Sequence, residues 1–383
     1  MGPWHMNTNT KIGALTPKSL HVLSRLLLQG REDISDLGSQ IGSRNDGDDP
    51  RRDLLTLSHS EFEDLVALAH LNHVIVRGME ALLAIATEAG DAERSQWAAA
   101  ALAAENARIA NATGFLEEVC HAFGDQDYDV CVIKSLDHWP DLGSDLDLYT
   151  SAPSDRVCGL MKRRFNAEIA PRSWGDRLAC KWNFQVPGLP ELIEIHVGRL
   201  GQTGEQVEIA SSLMKRTRAI TVAGRTFRVA SKSDRILIST LQRMYRHFYF
   251  RLCDILDSAA LVETEEVDFD DLCAAASRAG IWEGTATYLA IVSDYVKTYR
   301  GWGIELPKFV TQAARFGGDA VYYSKGFIRV PIMPQSAKLY GSQLVGVLRK
   351  RELHNGARLS LLPWLATAAV VGQKITGSDK GIW

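Results

Sequence analysis

Gly143-Ser144-Asp145-Leu146-Asp147-Leu148-Tyr149 is the stretch on which the fold turns. Asp-Leu-Asp-Leu alternates polar with apolar residues, the period of a half-buried strand. Gly143-Ser144 supplies a turn immediately before it. Successive strand side chains point to opposite faces, so Asp145 and Asp147 share one face while Leu146 and Leu148 point to a core. Two carboxylates aimed at one point repel each other unless a cation lies between them. Magnesium suits that task, because it takes hard oxygen ligands from one or two carboxylates and the rest from substrate phosphates. Alone, an Asp-x-Asp pair is a weak signal, since strand ends carry acids by chance.

Three neighbouring features strengthen it. Upstream, Asp129-Val-Cys-Val-Ile-Lys134 is rich in β-branched residues and reads as a strand that ends in Lys134-Ser135, with nine residues between Ser135 and Asp145. Downstream, Glu191-Leu-Ile-Glu-Ile-His-Val197 alternates again. Ile193, Ile195 and Val197 take its buried face, and Glu194 and His196 share the other. Ser144 sits in the turn that introduces the acidic strand.

Working outward, a helix is expected at Ser154–Phe165, and a hairpin at Ile220–Val222 and Thr226–Val229 joined by Ala223-Gly-Arg225. Before the strands the pattern is helical. A short run covers Ser19–Leu28, residues 31–52 read as a loop, and Ser60-Glu-Phe-Glu63 offers a capping box for the next helix. Ala-rich helices follow at about 79–89 and 93–122. After the strands, helices are expected at about 232–264, 270–279 and 284–299, with a less readable tail. The fold class is therefore α+β: a mixed-sheet core over 124–230, with helical domains at 1–123 and 231–383. Met1–His5 read as a remnant outside the natural sequence, with Met6 the expected start.

The order of a strand ending in small residues, an Asp-x-Asp strand and a third acid on a neighbouring strand resembles the nucleotidyltransferase superfamily, the polymerase-beta-like group. More narrowly, Lys134-Ser135, Asp145-Leu-Asp147-Leu and Glu194-Ile-His196 are similar to an uncharacterised bacterial nucleotidyltransferase family. The resemblance spans roughly 60–265, including Ala67-Leu-Ala-His70 and a later helix with His247, Arg251 and Asp254. Ser135 stands where that family usually has Gly, and Glu194 where Asp is more common.

The resemblance implies in-line attack on the α-phosphate of a nucleoside triphosphate such as ATP, with pyrophosphate leaving. Asp145, Asp147 and Glu194 would be catalytic and would hold magnesium, with manganese as an alternative. Glu194 would complete a second metal site or take the acceptor's proton. Lys134, Ser135, Ser144, His247 and Arg251 would bind the nucleotide, with a solvated Lys134 as the alternative. The acceptor is an unknown hydroxyl- or phosphate-bearing molecule. Two rival readings remain: an Asp-x-Asp glycosyltransferase, which would need about a hundred residues of α/β structure before the motif, and an inactive nucleotide-binding module of the same fold.

Composition narrows the classes. The chain has 383 residues, 46% of them hydrophobic, and a net charge of −3. That is globular, and it argues against a dedicated DNA-binding surface. Six scattered cysteines form no Cys-x-x-Cys pair, as expected of free thiols in a reducing compartment. No apolar run reaches the ~20 residues of a membrane span, and no signal peptide is evident, so a cytoplasmic location with no membrane partner is expected. Residues 215–251 carry ten Lys or Arg against the single acid Asp234. This segment either compensates phosphates or forms a basic face offset elsewhere. Arg243, Arg246 and His247 would line one side of its helix, continued by Arg251, for which a structural pair with Asp254 is the alternative. His196 could orient Glu194 or simply fill its strand. His138-Trp139 either caps the acceptor pocket or packs on the core. His70 and His73 lie one helical turn apart, but no third ligand is evident and no metal is assigned to them.

Overall fold

The computed structural model describes residues 17–29, 50–264, 267–361 and 363–364. Most of the loop expected at 31–52 lies outside them, as do residues 1–16. Among the described residues five helices precede the first strand: α1 (Pro17–Leu28), α2 (Pro50–Leu55), α3 (His59–Leu71), α4 (Ile75–Glu88) and the 33-residue α5 (Ala92–Gly124). No α/β region precedes the acidic strand among the described residues. The capping box falls two residues earlier than expected. Ser58 caps α3, its Oγ accepting from the Glu61 N–H while Glu61 accepts from the Ser58 N–H at 2.9 Å. Ser60 and Glu63 then lie inside the helix, past its cap.

The segment 124–230 carries β1 (Val130–Val132), β2 (Asp145–Thr150), α6 (Ser154–Phe165), β3 (Glu168–Ile169), α7 (Trp174–Leu178), β4 (Lys181–Gln185), β5 (Leu192–Val197), α8 (Val207–Leu213), β6 (Arg218–Val222) and β7 (Arg225–Val229). They form one mixed seven-stranded sheet in the order β3-β4-β5-β2-β1-β7-β6. Strand β2 runs antiparallel to β1 and parallel to β5, with Asp147 opposite Glu194 and Tyr149 opposite His196. The β6–β7 hairpin turns on Ala223 and Gly224, both at positive φ, the backbone that a tight two-residue hairpin requires. Leu146, Leu148, Ile193 and Ile195 are fully buried against Leu116, Val119 and Phe123 of α5 and Val157 and Met161 of α6. That packing turns the opposite face of β2 and β5 toward the site.

Beyond the sheet lie α9 (Lys232–Gln242), a π-helical turn (Arg243–His247), β8 (Tyr249–Phe250), α10 (Leu252–Glu263), α11 (Phe269–Arg278), α12 (Trp282–Arg300), α13 (Lys308–Ala313), β9 (Tyr322–Ser324), β10 (Phe327–Arg329), α14 (Ala337–Arg349) and α15 (Leu353–Ser360). The single helix expected over 232–264 is therefore broken. Phe248 takes a left-handed φ of 54°, and Tyr249–Phe250 pair with Ile328–Arg329 of β10. Helices from both ends of the chain share one apolar core, in which Leu20, Leu23 and Leu68 join Ile255, Tyr288 and Leu339. No described helix is long and apolar enough to cross a membrane.

Candidate functional site

A cavity of about 230 Å³ opens where β2 and β5 face the broken helix. Asp145, Asp147, Glu194, Lys134, Ser135, Ser144, His247 and Arg251 all line it. The eight residues named from sequence are thus brought together. The site also contains Lys181, Tyr249 and His73, which sequence reasoning did not place there, together with Arg243 and Arg246 of the expected cationic stripe and His138, one of whose two readings put it at the acceptor pocket.

Backbone geometry aims the acids. Arg108 of α5 donates to the Leu142 carbonyl at 3.0 Å and to Glu191 at 2.5 Å, tying together the entries of β2 and β5. Between β1 and β2 the connection is held by Arg235, paired with Asp137 at 2.7 Å, and by Arg77, paired with Asp141 at 2.6 Å and Asp257 at 2.8 Å. Lys134 sits in a γ-turn at φ 65°, ψ −54°, with the Ser135 N–H donating to the Ile133 carbonyl at 2.7 Å. Such backbone is costly for a residue with a Cβ and persists where its surroundings over-determine it.

Ser135 lies with its hydroxyl against β2, accepting from the Asp147 N–H at 2.7 Å and donating to the Asp145 carbonyl at 3.3 Å. These bonds tie the Ser135 hydroxyl to the acidic strand and fix it. Lys134 is not a solvated side chain. Its side chain is only 12% exposed, and its ammonium pairs with Asp147 and, at 3.4 Å, with Glu194. Ser144 is exposed at the rim, 3.5 Å from an Asp145 oxygen.

The three carboxylates are not equivalent. Glu194 receives Lys181 at 2.8 Å and His196 Nε2 at 2.9 Å in addition to Lys134. Burial alone would raise its pKa, but Lys134, Lys181 and His196 hold it well below the usual carboxylate range. Lys181 is itself anchored to Asp176 at 2.8 Å. His196 therefore contacts the acid directly, and also lies 3.8 Å from Asp147. Asp145 differs: among the described residues no ion pair reaches it. Burial, and then the charges of Asp147 and Glu194, push its carboxyl up to about 6.

The folded chain thus holds this proton more tightly than the unfolded one. The stability that Asp145 contributes is full at low pH and declines as pH rises from ~4 to about 6. In metal-free protein, Asp145 is expected to titrate well above a free aspartate, and Asp147→Asn should lower its midpoint by removing one of the charges that raise it. A carboxyl-resolved NMR titration reads both, and an unchanged midpoint would remove Asp147 as a cause.

The opposite wall is cationic. Because the helix breaks at 243–248, Arg243, Arg246, His247 and Arg251 reach the cavity from a turn and a short strand instead of forming one helical stripe. Asp254 pairs with the Arg243 guanidinium at 2.7 Å and accepts the Arg251 backbone N–H at 2.7 Å. Arg251 and Arg246 each keep a buried Nε with no hydrogen-bond partner. Burial, with Arg246, Arg243 and Arg251 beside it, holds His247 well below the usual imidazole range, so its ring is neutral. Other cations of the basic segment are offset elsewhere: Arg216 by Asp234 and Asp271, Arg225 by Glu117, Arg228 by Asp129. Around the cavity, Lys134, Lys181, Arg243, Arg246 and Arg251 outnumber the three carboxylates.

The donor set fits a divalent cation. Ligand atoms of Asp147, Glu194 and His196 lie within 4.8 Å of one another, with Asp147 Oδ1 already paired to the Lys134 ammonium. With Glu194 compensated by two lysines and Asp147 by Lys134, Asp145 is the carboxylate that no ion pair reaches among the described residues, and a cation between it and Asp147 would relieve their repulsion.

No protein-family model and no curated protein matches the chain. One solved structure, an antigenic nucleotidyltransferase-like protein from Paracoccidioides brasiliensis, is similar at 13% identity and a TM-score of 0.30, covering 44% of this chain and 86% of that one. A likeness that slight carries no argument about this protein.

Proposed function

We propose that the protein is a metal-dependent nucleotidyltransferase that moves a nucleoside monophosphate from a triphosphate to a hydroxyl- or phosphate-bearing acceptor. The observation that carries this reading is the parallel register of β2 and β5. Asp145, Asp147 and Glu194 thereby share one cavity with Arg246 and Arg251, for which no acidic partner stands among the described residues. Acids on one wall and an excess of cations around them suit a phosphate chain that brings its own cation.

The reaction balances simply. An acceptor oxygen bonds to the α-phosphorus, the α–β bridging bond breaks with its electron pair on pyrophosphate, and the acceptor gives up its proton. Asp145 and Asp147 would hold magnesium, which when bound supplies charge neutralisation on the reacting phosphate. Arg246 and Arg251 would bind phosphate oxygens, Arg offering paired donors suited to them. Lys134 keeps Asp147 and Glu194 at fixed separation. Glu194, held ionised by its cations, acts as a fixed charge that positions Lys134 and His196; a proton acceptor tuned to neutral pH would need a higher pKa.

Arg251→Ala is expected to fold and to bind triphosphate roughly ten- to a hundredfold more weakly, the range for a charged hydrogen bond lost from a partly buried site. Calorimetric titration at two salt concentrations checks it, and binding should weaken with salt in the wild type. Wild-type affinity in the variant would return Arg251 to a structural role. The enzyme reading itself is tested by pyrophosphate release with each triphosphate, magnesium and a panel of acceptors.

A second reading has one observation in its favour. Lys134 already neutralises part of the acidic wall, as it would in a nucleotide-binding module that has given up catalysis.

A further inference from the structure

Behind the cationic wall, three residues far apart in sequence meet. His73 follows α3, His138 ends the turn after β1, and Cys253 lies in the first turn of α10. We propose that His73, His138 and Cys253 form a binding site for a single zinc ion, separate from the carboxylate set.

One ligand atom from each lies within 4.8 Å of the others. Cys253 Sγ and His138 Nε2 are 3.7 Å apart. A tetrahedral zinc with Zn–S ~2.3 Å and Zn–N ~2.0–2.1 Å spaces such a pair by about 3.5 Å. The distance is therefore the edge of a coordination tetrahedron to within a few tenths of an ångström.

The support around the donors is that of a metal site. His138 Nδ1 lies 2.5 Å from Asp257 Oδ2, which fixes the ring and leaves Nε2 free to ligate. Asp257 is fixed in turn by Arg77 at 2.8 Å. His73 is only 9% exposed, and its Nδ1 has no hydrogen-bond partner. Its ring is pressed by Gly143, where an added Cβ would stand 3.2 Å from His73 Cε1. A buried imidazole with an orphaned nitrogen is costly unless something ligates it.

The same contacts would describe a Cys–His–Asp nucleophile triad. That is excluded by access: Cys253 is fully buried and does not line the cavity, whereas His73 and His138 do. Two imidazoles and a thiolate select a soft transition metal over magnesium, and three protein ligands leave one position for water or a substrate oxygen.

The test uses the full chain, stripped of metal with a chelator and titrated with cobalt(II), which reports thiolate ligation by its colour. One equivalent is expected to produce a thiolate-to-cobalt charge-transfer band with tetrahedral ligand-field absorption, erased by added zinc. Asp147→Asn should keep the band, so a failed catalytic reading leaves this one standing. Cys253→Ser should abolish it. His73→Gln, which leaves the thiol untouched, should weaken cobalt binding at least about tenfold, since even outer-shell losses cost ~10–100-fold. Absence of the band in the wild type, its survival in Cys253→Ser, or unchanged affinity in His73→Gln would overturn the site.

Discussion

Asp147→Asn is expected to fold, to bind triphosphate within a few-fold of the wild type, and to turn over at least about a hundredfold more slowly. The substitution keeps size and hydrogen bonding but removes the charge that Asp147 shares with Asp145 across one strand face. Ground-state binding draws on Arg246, Arg251 and the rest of the cationic wall, none of which is altered. Removing a single electrostatic stabiliser of the reacting phosphate typically costs ~10²–10³ in rate, about 3–4 kcal/mol. Lys134 sharpens the expectation: with one of its two acidic partners gone, its ammonium is held by Glu194 alone. Single-turnover kinetics beside equilibrium titration separates the two effects. Wild-type turnover in this variant would sink the mechanism.

Asp254→Ala is expected to cost the fold about 3–5 kcal/mol, because it strands a buried guanidinium. Arg243 and Asp254 are 2% and 3% exposed, 2.7 Å apart, and Asp254 also accepts the first free N–H of α10 from Arg251. Removing the carboxylate leaves a cation without compensation and a helix start without its cap. Arg228→Ala is the comparison, since its pair with Asp129 is half-exposed and worth only ~0–1 kcal/mol. Urea midpoints at constant slope measure both. Equal losses would mean that the cavity's cationic wall is not anchored through Asp254.

Much of the site was legible because it lies on strands. Period-two alternation places Asp145 with Asp147, and Glu194 with His196, and buried Leu146, Leu148, Ile193 and Ile195 fix which face is which. Those signals are local, and the parallel register of β2 and β5 is not among them, since β1 pairs antiparallel with β2 and β4 antiparallel with β5.

What escaped reading depends on partners distant in sequence. The break at 243–248 carries no Gly or Pro. Phe248 accepts a left-handed backbone because Tyr249–Phe250 find their hydrogen bonds in β10, about eighty residues later. Lys181 sits on a five-residue strand whose Trp182 and Phe184 give only a faint alternation. His73, His138 and Cys253 share no spacing that a ligand pattern would reveal, and the helical spacing of His70 and His73 does not make them a pair. His70 instead faces Glu105 at 3.9 Å.

The central claim is that a nucleoside monophosphate, and no other part of the triphosphate, is what moves. Incubation with triphosphates labelled separately at the α- and γ-phosphorus, with magnesium and the acceptor panel, follows each atom directly. The account predicts α-label retained on the acceptor and γ-label released as pyrophosphate, with both signals falling at least about a hundredfold in Asp147→Asn. Transfer of γ-label to the acceptor, or bound triphosphate left intact with every acceptor, would contradict it.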